Sequence, residues 1–177
     1  MWTGSAGRTE CNSNVPCLEG KTVAPSSSPD WSNLEKDLTK WLAGFSSQGL
    51  VYKNQYQSIA GLPSTAFQSD GMLTDGDTLL AIEVEATQSH PDTNVGKYWF
   101  LFENKKYKKI VLFHIYTPKF RSYGWRKQLA EFYADKMRRE VPIEYIRLDR
   151  RKDTDYDSTL ESIKKEIAAK LHETFAL

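Results

Sequence analysis

Apolar residues in this chain follow two rhythms, and the switches between them mark out nine elements. Trp31, Leu34, Leu38, Trp41 and Leu42 recur at helical spacing, with Asp30 or Ser32 as cap and Gly44 as the end. A first strand is expected within residues 50–58, followed by a Gly61-Leu62-Pro63 loop. Asp70 then precedes a short apolar run, Asp75-Gly76-Asp77 supplies the chemistry of a reversal, and Leu79-Leu80-Ala81-Ile82-Glu83-Val84-Glu85 returns as a second strand. His90-Pro91-Asp92-Thr93-Asn94 stops that strand and starts a helix over about residues 94–103, capped by Asp92 or Thr93, with Val95, Tyr98, Trp99 and Phe102 on its apolar side. The unbroken apolar run from Lys109 to Tyr116 fits a buried central strand. A long amphipathic helix over about 123–139, a last strand over 142–148 and a closing helix over 158–175 complete the chain. The order α-β-β-β-α-β-α-β-α predicts the α/β class, with an antiparallel opening, helical crossovers and a mixed sheet covered on both faces.

Side chains alternate along a strand, so Glu83 and Glu85 share one face while Leu80, Ile82 and Val84 take the other. In so short a hairpin Asp70 can lie beside Glu83. Carboxylates gathered on one sheet face repel each other and lose hydration, and a hard divalent cation such as Mg²⁺ relieves both problems. Plainer explanations stand beside this one. Asp70 can be a turn-opening aspartate bonded to its own backbone, and Glu83 can belong to the exposed face of an edge strand. The apolar neighbours of Glu83 favour a deep strand, where a lone carboxylate is costly. His114, inside an apolar strand, reads as a satisfied core residue, and His90 ahead of Pro91 as a loop histidine.

Composition narrows the class. Hydrophobic residues make up 40% of the chain and aromatics 12%, which suits a soluble globular protein. The 177 residues divide into a Gly/Ser/Asn/Pro-rich segment over 1–29, read as a flexible leader, and one domain over 30–177. No run approaches the roughly 18 apolar residues of a membrane span, and the N-terminus lacks the layout of a secretory signal. Cys11 and Cys17 are too few for a disulfide scaffold and lack zinc-spaced partners, so free thiols and a cytoplasmic location are expected. The net charge of +1 hides an asymmetry: residues 30–97 carry nine acidic and four basic side chains, residues 98–152 six acidic and fifteen basic. An acidic centre facing a basic half suits an enzyme that acts on a polyanion, although Lys105, Lys106, Lys108 and Lys109 are equally explained as a solvated loop.

With Asp70, Glu83 and Glu85 in this element order, residues 30–148 resemble the PD-(D/E)xK nuclease superfamily, the restriction-endonuclease-like fold. In that family an aspartate opens the second core strand, an acid and a lysine sit two apart on the third, and a glutamate often comes from the first helix. The resemblance implies that Asp70 is the aspartate, Glu83 the second acid and Glu35 the helix glutamate. Glu85 stands in the place of the motif lysine, as in certain restriction enzymes, and Ser69 replaces the proline before the aspartate.

The implied activity is a Mg²⁺-dependent endonuclease that hydrolyses DNA phosphodiester bonds, with Mn²⁺ as a possible substitute and a homodimer presenting two sites to two strands. Asp70, Glu83 and the Val84 carbonyl are the expected metal ligands. Glu85 is expected to bind a second metal or orient the attacking water, or else to mark a domain that kept the fold and lost the chemistry. Lys97, in the helix after the acidic strand, can fold back over the carboxylates and supply the positive charge missing at Glu85, or simply flank the Tyr98-Trp99 core pair. Gln88, Arg121, Arg126 and Lys127 are candidate DNA contacts, and a solvated helix face explains the basic three nearly as well. The alternatives are a catalytically inactive nucleic-acid-binding or assembly domain on the same fold, and an unrelated small α/β protein whose acidic hairpin binds a protein partner.

Overall fold

The computed structural model describes residues 30–53, 68–86, 90–104, 107–121 and 124–177. The expected leader with both cysteines, the first strand past Lys53, the Gly61-Leu62-Pro63 loop, Gln88 and the Lys105-Lys106 pair lie outside these residues.

Asp30 caps the first described turn, its Oδ1 accepting from the Ser32 amide at 3.2 Å and the Ser32 hydroxyl at 2.6 Å. One tight turn, Trp31–Asn33, leads into α1 (Leu34–Ala43), whose Leu34, Leu38 and Leu42 are fully buried, as the helical spacing requires. Strand β1 (Val51–Lys53) pairs antiparallel with β2 (Gly71–Thr74), and β2 with β3 (Thr78–Glu85). Between β2 and β3 the chain reverses at Asp75-Gly76-Asp77. There Asp75 Oδ1 accepts from the amides of Asp77 (3.0 Å) and Thr78 (2.7 Å), and Gly76 takes φ +106°, a left-handed backbone that glycine adopts without strain. Beyond β3, helix α2 (Pro91–Glu103), strand β4 (Lys109–Tyr116), helix α3 (Arg126–Glu140) and strand β5 (Ile143–Asp149) follow as parallel crossovers, and α4 (Tyr156–Phe175) closes the chain. The five strands lie in the order β1-β2-β3-β4-β5, a mixed sheet flanked by helices.

Each sheet face has its own core. On one, Met72, Leu79, Ala81, Ile110 and Leu112 pack against Val95, Tyr98 and Leu101 of α2 and Ala130, Ala134 and Met137 of α3. On the other, Leu73, Leu80, Ile82, Val84, Val111, Phe113 and Ile115 pack against the leucines of α1 and Leu160, Ile163, Ile167 and Leu171 of α4. This double burial explains why β3 and β4 read as nearly continuous apolar runs.

Several boundaries differ from expectation. α2 begins at Pro91 rather than at residue 94, because proline's fixed φ suits the first helical position and its missing N–H costs nothing there. Asp92 is therefore inside the first turn, 9% exposed and paired with Arg126, and caps nothing. The buried face of α2 runs through Val95, Tyr98 and Leu101, while Trp99 and Phe102 are only half-buried. α3 begins at Arg126, which leaves Arg121 in the segment before the helix. α4 begins at Tyr156, two residues early, because Asp155 accepts from the Ser158 amide and caps it.

Candidate active site

The hairpin register sets the site. Gly71 lies opposite Ile82, so Asp70 and Glu83 meet at the next rung, where β2 opens and β3 nears its end. Asp70 Oδ2 accepts from the Val84 amide at 2.6 Å, which fixes its carboxylate across the mouth of the hairpin. Glu83 points to the α2/α3 side, 1% exposed. Its Oε1 accepts from the Tyr98 hydroxyl at 2.5 Å and faces the Lys97 ammonium at 2.8 Å. Ser69 Oγ lies 2.8 Å from the same tyrosine hydroxyl. One turn of α2 thus presents Lys97 and Tyr98 side by side to one carboxylate.

A half-buried aspartate and a buried glutamate share one ammonium. Burial first, then the neighbouring Glu83 charge, pushes the Asp70 carboxyl up to about 8, against the opposing pull of the Val84 amide and Lys97. Burial also raises Glu83, opposed by Lys97 and Tyr98. Tyr98 is raised by burial and by the adjoining glutamate, so it stays a hydrogen-bond donor. Glu35, exposed on α1, adds a smaller repulsion to Asp70 and also acts on Tyr52.

Glu85 occupies a different environment two residues along the same face. It is fully buried, and its Oε1 accepts from Asn94 Nδ2 at 2.8 Å and lies 2.7 Å from His114 Nε2. His114 Nδ1 is 2.9 Å from the Tyr145 hydroxyl, which burial keeps protonated by pushing it up to about 12. Tyr145 can therefore donate to Nδ1 while Nε2–H donates to Glu85. Among the described residues, Glu85 Oε2 has no hydrogen-bond partner. Asn94 links the two acids, because its Oδ1 accepts from Lys97 Nζ at 3.2 Å; the same ammonium also donates to the Gln68 carbonyl at 2.5 Å.

The structure therefore brings together Asp70, Glu83 and Lys97, sets Glu35 at the periphery and seals Glu85 behind them. The Val84 carbonyl accepts from the Ala86 amide at 3.1 Å in the bend that ends β3. The basic candidates are dispersed. Arg126 binds both oxygens of Asp92 at 3.0 Å. Lys127 lies 3.6 Å from Glu131 and 5.9 Å from the Tyr116 ring centre. Arg121 donates to the carbonyls of Pro118 and Phe120. The roles of Ser69, Asn94 and Tyr98 were not read from the sequence. Their only advance signal was the polar atom each carries beside an acidic strand.

Among the described residues, no three His, Cys, Asp or Glu side chains converge as a metal cluster. Mg²⁺ does not require one, since it commonly binds through one or two carboxylates and fills its shell with water and phosphate oxygens. A carboxyl pair of which one member holds a proton below about pH 8 suits that mode, the cation taking the proton's place. Among the described residues, no helix is long and apolar enough to cross a membrane. The chain matches no family model, no curated protein and no solved structure.

Proposed function

We propose that this chain is a Mg²⁺-dependent endonuclease of the restriction-endonuclease-like fold that hydrolyses DNA phosphodiester bonds. The observation that carries this proposal is the meeting of Asp70, Glu83 and Lys97 at the mouth of the β2–β3 hairpin. Asp70 and Glu83 would hold the cation, with the Val84 carbonyl as a further oxygen. When bound, Mg²⁺ supplies an activated water and neutralises phosphate charge. Lys97 takes the part of the lysine that Glu85 replaces, delivered from a helix instead of the strand. Its ammonium, already 2.8 Å from Glu83, holds a phosphate oxygen or polarises the water. Tyr98 fixes the Glu83 rotamer. Glu85 acts through Asn94, which steadies Lys97, and so serves as a positioning residue. Glu35 adds negative charge at the rim.

The runner-up is a non-catalytic nucleic-acid-binding domain on the same architecture. The enclosure of Glu85 by Asn94 and His114 favours it, since that carboxylate is committed to the protein interior. Plasmid and single-stranded DNA incubated with Mg²⁺ or Mn²⁺ separate the two. The nuclease cuts, and Glu83→Gln abolishes both cutting and metal uptake. Intact DNA with either metal, together with unchanged metal binding in Glu83→Ala, removes the nuclease proposal.

A further inference from the structure

On the outer side of the site, a groove of about 540 Å³ runs along α2 beside Tyr133 of α3. Its walls include Trp99, Phe100 and Tyr133, with Lys97 at one end and Asp92 and Glu103 on the rim. The rim acids are already engaged, Asp92 by Arg126 and Glu103 by the Trp99 indole N–H at 3.1 Å. Exposed aromatics continue the surface: Phe100 is 43% exposed, Phe132 54% and Trp125 65%. Trp125 and Phe132 lie seven residues apart, on one side of α3 and its cap. Each carries a cation near its ring, Arg126 at 5.9 Å from Trp125 and Lys136 at 5.7 Å from Phe132. The Phe132 and Tyr133 rings are 6.2 Å apart, so the stripe runs into the groove.

We infer that this aromatic groove stacks the unpaired bases of a nucleic-acid strand and that the substrate class is single-stranded DNA, an inference that rests on the nucleic-acid reading of the adjoining site. Alternating aromatic and basic side chains suit a strand that offers a flat base and a phosphate at each step. A paired duplex hides its base faces and gains nothing from exposed phenyl rings. Lys97 joins the two features, since one side chain both lines the groove and pairs with Glu83. A strand lying in the groove therefore brings its backbone to the carboxylate pair. Lys136 beside Phe132 and Arg126 beside Trp125 put cations along that path, where a strand's phosphates would pass.

The test uses the full chain in EDTA, with fluorescence anisotropy of labelled oligo(dT) of about 15 nucleotides and of a duplex of equal length. Oligo(dT) is expected to bind at least about tenfold more tightly than the duplex, and Phe100→Ala and Phe132→Ala each to weaken it about tenfold. Both positions are exposed, so folding survives. Phe100→Leu, which keeps apolar area but cannot stack, weakens binding nearly as much as alanine. Equal affinity of wild type and both alanine variants for oligo(dT) overturns the inference, as does a preference for duplex. So does a change of self-association by sedimentation with DNA affinity untouched, which would make this face a contact between copies. If wild type cuts nothing with Mg²⁺ yet binding depends on the phenylalanines, the groove stands and hydrolysis falls. Cutting with no such dependence gives the reverse.

Discussion

The two faces of the sheet are built on opposite principles. The α1/α4 face is dry: leucines, isoleucines and valines of β2, β3 and β4 meet leucines and isoleucines of two helices. The α2/α3 face begins the same way near Leu79 and Ile110, then becomes polar toward the ends of β3 and β4, where Ser69, Glu83, Glu85, Tyr98 and His114 are all buried. Buried polar groups contribute little net stability even when paired and are costly when a partner is lost. The apolar packing on both faces therefore accounts for stability, and the buried polar end of the α2/α3 face adds little to it. Within that end a second contrast holds. Glu85 is bound into the interior by Asn94 and His114, while Glu83 shares its mouth with Asp70 and a lysine.

Substitutions can break or sharpen this contrast. The largest effect on stability is expected at the sealed carboxylate. His114→Leu strands Glu85 in a fully buried position and should cost about 3–5 kcal/mol by urea denaturation, whereas His114→Leu combined with Glu85→Leu recovers most of that loss. On the dry face, Leu38→Ala should cost about 2–5 kcal/mol through the cavity it leaves, with cleavage per folded molecule unchanged. At the Asp70–Glu83 pair the expectation reverses. Glu83→Gln should lower cleavage by more than about a hundredfold, about 2.7 kcal/mol of barrier, without lowering the urea midpoint. A loss of folding there in place of a loss of cleavage would make Glu83 as structural as Glu85.

The most gradual effect is a pH dependence. Asp70 has its carboxyl raised from 3.8 to about 8 by burial and by Glu83, so below about pH 8 a cation must displace a proton. Mn²⁺ affinity measured by calorimetry should rise up to about tenfold per pH unit as pH approaches 8 and level off above it. The same group acts on stability with the opposite sense. Between about pH 4 and 8 the folded state holds a proton that the unfolded chain has released, so its contribution is full below 4 and falls as pH rises to 8. Asp70→Asn should flatten both profiles.

Much of this architecture is visible in the sequence because it rests on local period. The run from Lys109 to Tyr116 is β4 to the residue, and Leu34, Leu38 and Leu42 form the buried stripe of α1. The reversal at Asp75-Gly76-Asp77 follows from turn chemistry. The alternation of β3 places Glu83 and Glu85 on one face, yet alternation alone gave no sign that they would enter different environments. That difference is made by Asn94, Lys97, Tyr98 and His114, which reach the acids across 9 to 29 residues of sequence. Tyr98 looked like one more core aromatic, and only its hydroxyl against Glu83 shows otherwise. Asp92 and Thr93 both resemble caps, which hides the start of α2 in the sequence, although Pro91 already begins the helix.

A crystal grown or soaked at about pH 8.5 in Mn²⁺, read by its anomalous scattering, tests the central claim most directly. An anomalous peak about 2.1 Å from one oxygen each of Asp70 and Glu83, with the Lys97 ammonium shifted off Glu83, is the predicted result. Both side chains well ordered, with no peak between them at saturating metal, would contradict it.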